Sequence, residues 1–225
     1  MNYTALTILS YSILIAGIIG IYRFAQIRDL YRPFIYLIWV GCLIKMVSTY
    51  FSYADHSNLD VDSIYRLCES LFLLWFFSKL SVFRKQRKML YLLGGLFISI
   101  WLTVNFLTSH LATTVSSYFD IVYALSLVLL SIRTINELLF TEKDLLKNPT
   151  FLICMGLVIF FTYHIIQRLF WLYGLRESVE FRQSVMGILY LINCVTSLLY
   201  ALAIVWMQKR QAFTFSFDRG GSGST

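Results

Sequence analysis

The sequence predicts an all-α fold: a polytopic membrane protein made of a single bundle of seven transmembrane helices. Three observations predict it. The chain of 225 residues is 58% hydrophobic and 14% charged, whereas soluble domains carry roughly 45–50% apolar and about 25% charged residues. Its apolar residues gather in seven runs near the ~20 residues needed to cross a ~30 Å hydrocarbon core. Within each run they go all round the helix and not along one stripe, which separates a span from a surface helix. A water-soluble fold would lack the polar residues to cover so much apolar surface. With 2 Pro and 11 Gly, disordered and collagen-like classes are excluded.

The spans run from Tyr3 to Tyr22, Pro33 to Tyr53, Ile64 to Leu80, Met89 to Leu107, Ser117 to Phe140, Thr150 to Tyr173 and Val185 to Met207. The first follows only Met1 and Asn2, so the positive region of a signal peptide is missing and it reads as an uncleaved anchor. The sequon Asn2-Tyr3-Thr4 lies against the membrane. Pro33 and Thr150 (just after Pro149) open the second and sixth spans, where proline suits the first helical turn. Arg66, Glu69 and Lys79 sit in or near the third. Trp75, Trp101, Trp171 and Trp206 read as interfacial or lipid-facing bulk. Residues 1–211 form one domain. Residues 212–225 form a tail whose end, Gly220 to Thr225, reads as a flexible expression linker.

Lys and Arg in short loops resist translocation and so set orientation. Arg23, Arg28 and Arg32, then Arg84, Lys85, Arg87 and Lys88, then Lys143 and Lys147, then Lys209 and Arg210 all fall on one side of a seven-span chain. The opposite loops hold Asp55, Asp60 and Asp62, a Ser/Thr stretch near His110, and Arg176, Glu177, Glu180 and Arg182. The N-terminus is therefore expected outside and the C-terminus in the cytoplasm, with the protein in the plasma (inner) membrane. The net charge of +7 reflects this bias and contact with anionic headgroups, and not nucleic-acid binding.

The loops are too short for a soluble catalytic domain. Cys42, Cys68, Cys154 and Cys194 all lie inside spans without a pairing motif, and read as packing residues. Of the histidines, His56 and His110 fall in outer loops and only His164 is deep in a span. One histidine supplies neither a zinc site nor a bis-histidine haem. No nucleophile elbow, P-loop or HExxH helix is present. The seventh span has no lysine for a retinal Schiff base, although Lys45 in the second could carry one. The sequence is thus read as a non-enzyme with no cofactor, no metal and no catalytic residue.

Arg28-Asp29-Leu30-Tyr31-Arg32-Pro33-Phe34 precedes span two, and Lys143-Asp144-Leu145-Leu146-Lys147-Asn148-Pro149-Thr150-Phe151 precedes span six. The shared pattern suggests a parallel repeat of three spans on either side of span four. Parallel repeats occur in transporters. The arrangement resembles the SWEET sugar facilitators, but their Pro-Gln pairs and mid-helix prolines are missing here.

Ionisable groups inside spans are expensive, roughly 2.5–3.5 kcal/mol each on insertion scales, and are sites by default. Lys45, Glu69, Asn105, Asp120, Tyr123, His164, Gln167, Arg168, Tyr190 and Asn193 all fall in the outer half of the membrane on six helices. They are predicted to line an outward-facing polar pocket for a small ligand or lipid. Interhelical glue is the competing reading. Glu69 is expected to pair with Lys45 or Arg168, and Arg66 to snorkel to the interface. Arg133, Asn136 and Glu137 share one cytoplasmic face of span five and are candidates for docking a partner.

Arg32-Pro33-Phe34-Ile35-Tyr36-Leu37-Ile38-Trp39, Glu69-Ser70-Leu71-Phe72-Leu73-Leu74-Trp75-Phe76-Phe77, Asn148-Pro149 with Phe151-Leu152-Ile153-Cys154, and Phe170-Trp171-Leu172-Tyr173-Gly174-Leu175 resemble a group of small uncharacterised bacterial seven-span proteins associated with sensor histidine kinases. The resemblance implies a sensor or adaptor whose partner is such a kinase or another output protein, surrounded by membrane lipids. A small-solute facilitator or ion-coupled transporter would use the same polar groups, and an intramembrane enzyme ranks third.

Overall fold

The computed structural model describes residues 11–53, 59–103, 112–172 and 179–207. Asn105, the Asn2 sequon, the loop residues Asp55, His56, His110, Arg176 and Glu177, and the end from Lys209 onward lie outside the described residues. So do the side chains of Asp60, Asp62, Trp171, Glu180 and Arg182.

Every described element is helical. Seven α-helices appear among the described residues: α1 (Ile13–Arg23), α2 (Arg32–Tyr53), α3 (Leu59–Lys79), α4 (Arg87–Leu102), α5 (Ala112–Thr141), α6 (Pro149–Leu172) and α7 (Val179–Trp206). Short 3₁₀ turns at Phe24–Gln26, Ser81–Gln86 and Leu145–Lys147 lie between them. Among the described residues four stretches are long and apolar enough to cross a membrane: Arg32–Phe51, Tyr118–Thr141, Pro149–Phe170 and Gln183–Trp206. Three helices start well before the apolar runs expected for them, α3 by 5 residues, α5 by 5 and α7 by 6. Helical hydrogen bonding continues through polar turns, so hydropathy sets the span and not the helix end.

Consecutive helices pack on one another from α1 to α4 and from α5 to α7, and α7 returns to pack on α1. α3 also packs on α5, so α1, α2, α3, α5, α6 and α7 form a closed ring, with α4 outside it against α3 and α5. Small residues bring α1 close: Ala16, Gly17 and Gly20 are buried, and a Cβ on Gly17 would sit 2.8 Å from Cys42 Sγ. Buried aromatics fill the interior. Phe97 meets Tyr123 edge-on, and Tyr123 meets Phe161. Large apolar side chains such as Ile18, Leu43, Leu92, Leu129, Leu191 and Leu198 point outward, the exterior suited to hydrocarbon.

The basic end of the ring is stitched together. Arg23 donates to the carbonyls of Ile204 (2.7 Å), Val205 and Met207 (3.2 Å). It thereby caps the C-terminus of α7, where carbonyls lack helical partners and a cation is favoured. Asn148 caps α6: its Oδ1 accepts from the amides of Thr150 (2.9 Å) and Phe151 (3.3 Å), with Pro149 in the first turn. The Tyr31 hydroxyl meets Thr150 Oγ1 at 3.2 Å and joins the starts of α2 and α6. Burial pushes that phenol above its ordinary range, so it remains neutral. Arg87 donates to the Ser78 carbonyl at the end of α3 (3.1 Å).

Candidate functional site

A cavity of about 380 Å³ lies inside the ring. α2 contributes the longest wall, from Phe34 up to Lys45 and Ser48. α6 adds Leu157, Phe161 and His164, and α7 adds Leu189, Asn193, Thr196 and Tyr200. Tyr65 and Glu69 come from α3, and Ile13 from α1. Because Tyr31 and Thr150 tie the starts of α2 and α6 together, height can be counted from their prolines. At 1.5 Å per residue, Lys45 and His164 stand about 18 and about 22 Å from Pro33 and Pro149. Tyr65 and Asn193 are similarly far from the basic ends of α3 and α7. The charged and amide groups of the lining therefore gather in the upper cavity, among Ile44, Phe160 and Leu189. Below it, Phe34, Leu37, Ile38, Leu157 and Tyr200 make an apolar floor.

Two glycines shape these walls. A Cβ on Gly156 would meet Tyr200 Cε1 at 2.5 Å, and one on Gly41 would meet the Tyr65 hydroxyl at 3.3 Å. Glycine lets each tyrosine ring lie against a helix backbone. The Tyr200 ring also meets Phe34 edge-on at 5.1 Å.

Glu69 is buried and holds two hydroxyls. Tyr65 donates to Oε1 at 3.4 Å, and the buried Tyr123 donates to Oε2 at 3.2 Å. This corrects the expected ion pair of Glu69 with Lys45 or Arg168. Arg168 instead reaches Asp120 Oδ2 through Nε at 3.0 Å, and Arg66 reaches the same oxygen through Nη1 at 3.1 Å. Arg66 therefore does not snorkel. Asp120 has no exposed surface, and two guanidiniums neutralise a carboxylate that would be prohibitive alone. The cluster joins α3, α5 and α6. It stands beside the cavity and not in its lining.

The residues predicted for the pocket thus divide. Lys45, Glu69, His164 and Asn193 line it. Tyr123 reaches it through Glu69. Asp120 and Arg168 form the adjoining ion cluster. Gln167 donates to Met186 Sδ at 3.6 Å, and Tyr190 is half-buried outside the lining. Lys45 Nζ lies over the Tyr11 ring, 5.8 Å from its centroid. His164 stacks on Phe160 at 6.0 Å. Its buried Nε2 has no hydrogen-bond partner among the described residues. Tyr65, Tyr200, Thr196 and Ser197 also line the cavity, and sequence reasoning missed them. The i,i+4 spacing of Tyr65 and Glu69 was the one signal available. At the basic end, Arg133 donates to Gln86 Oε1 at 2.6 Å and covers Phe83 at 5.4 Å. It braces its own chain, while Asn136 and Glu137 are exposed. Among the described residues no cluster of three or more His, Cys, Asp or Glu side chains could hold a metal.

Fold and site together define a helical, membrane-type bundle built around an internal cavity, with its charged and amide groups above and an apolar floor below. No protein-family model, curated protein or solved structure matches the chain.

Proposed function

We propose that this protein is a receptor-like sensor or adaptor of the plasma (inner) membrane. All seven helices cross the bilayer, with the N-terminus outside and the basic end in the cytoplasm, as the Lys/Arg bias requires. A small ligand or lipid enters the cavity from outside and is held between α2, α3, α6 and α7. The basic end passes the signal to a sensor histidine kinase or another output protein, with Asn136 and Glu137 as exposed docking groups beside Arg133. The helix triplets on either side of α4 act as parallel halves that the ligand bridges.

One observation carries this reading: a ligand-sized cavity with polar groups at one end and an apolar floor above a stitched basic end. A facilitator would have to break Arg23 from α7 and Tyr31 from Thr150 to let a solute through. A receptor keeps both ties. The test is a thermal-shift screen on the purified protein, followed by flux of each hit in liposomes. A hit that raises the melting temperature without crossing the bilayer supports the sensor. Saturable transport of the same hit would make the protein a facilitator.

A further inference from the structure

We infer that the cavity takes a single-chain amphiphile whose head carries one negative charge, seated at Lys45 and His164, with its chain descending to Phe34. This rests on the proposed function, since the cavity must be a ligand site. The first support is charge. Among the described side chains of the outer half stand the cations Lys45, Arg66 and Arg168 and the carboxylates Glu69 and Asp120. Both arginines are committed to Asp120, and both oxygens of Glu69 accept tyrosine hydroxyls. Among the described residues no carboxylate pairs with Lys45, which rests over Tyr11. Ionised groups in such a region need partners, and a ligand anion supplies one for Lys45.

The second support is the donor set. His164 lines the same cavity as Lys45, and its buried Nε2 lacks a partner among the described residues. A neutral imidazole nitrogen can donate to an anionic oxygen. A cationic head would meet Lys45, and Glu69 is already satisfied by two hydroxyls. The third support is shape. From Lys45 to Phe34 the wall descends about 16 Å along Leu37 and Ile38. A volume of about 380 Å³ lies near the small end of ligand cavities, roughly 300–1,000 Å³, and suits one alkyl chain.

The experiment measures equilibrium binding of tritiated decanoate to the full chain in phosphatidylcholine nanodiscs, with empty nanodiscs subtracted. Decanol, decylamine and decyl phosphate serve as competitors. Decanoate should bind roughly tenfold or more tightly than decanol and decylamine, as a charge-assisted contact implies. Lys45→Met should cost decanoate about tenfold and leave decanol unchanged, whereas Lys45→Arg should retain it. Stronger competition by decyl phosphate, with the same dependence on Lys45, supports the anionic head and assigns it to a phosphate-bearing lipid. Decanol or decylamine binding as tightly as decanoate overturns the charge assignment and leaves the cavity reading intact. So does decanoate binding that survives Lys45→Met. Absence of saturable binding by every probe overturns both. The comparison of head groups on the unaltered protein decides the matter even if Lys45→Met fails to fold.

Discussion

Asp120 holds two guanidiniums on one oxygen from a position with no exposed surface. Asp120→Asn keeps the shape and removes the charge that Arg66 and Arg168 share. Breaking a buried pair in this way costs about 3–5 kcal/mol. We expect a large drop in the melting temperature of the detergent-solubilised protein, and a smaller one for Arg66→Met, which leaves Arg168 in place. Equal losses would show that the arginines do not share the carboxylate. Glu69 is a different case because its partners are neutral. Glu69→Gln retains one acceptor and places an amide NH₂ against the other hydroxyl, at an expected cost of about 1–3 kcal/mol. A mild thermal shift with lost ligand response would mark Glu69 as part of the binding site. A severe shift with normal response would mark it as structural only.

At the scale of the helix, two contacts set boundaries that hydropathy leaves open. The Asn148 side chain begins α6. Asn148→Ala should cost about 1 kcal/mol while Asn148→Asp should cost little, as measured by chemical unfolding. The approach of α7 to α6 depends on Gly156. Gly156→Ala drives a methyl group into the Tyr200 ring and forces that ring toward the cavity. Tyr200→Ala alone should destabilise, and it should also relieve part of the Gly156→Ala penalty. A double-mutant cycle should therefore return a coupling of about 0.5–3 kcal/mol, and strict additivity would place the ring elsewhere.

For the whole molecule, the topology prediction is direct. A cysteine introduced at Lys85 should resist membrane-impermeant maleimide added to intact cells and react after permeabilisation. Labelling from outside would invert the bundle. The helical fold was legible in the sequence because apolar runs of membrane length have few alternative readings, and each run overlaps a helix among the described residues. Depth was legible too: Lys45, His164 and Asn193 could be brought to one level by counting residues. Pairing was not. Glu69 and Asp120 are both acids near Arg66 and Arg168, and only the rotation of α3 against α5 decides which of them receives the arginines. Tyr65 and Tyr200 escaped notice for a related reason. A tyrosine in an aromatic-rich span looks like bulk until a glycine on the facing helix shows where its ring lies. Arg133 read as a docking residue because its partner, Gln86, lies 47 positions away.

The clasp of Arg23 on the last turn of α7 also has a consequence for biosynthesis. A ribosome delivers α1 first and α7 last, so the surface that receives Arg23 does not exist until the rest of the bundle has been made. α1 must wait, packed on α2 alone, while five more helices arrive. The ring can close only once α7 has been made. Until then the cavity has an open side, and a nascent chain cannot hold a ligand between α1 and α7. Arg23→Gln should therefore slow the appearance of the protease-resistant form in a pulse-chase more than it slows membrane insertion. It would separate the arrival of the helices from the moment at which they become one molecule.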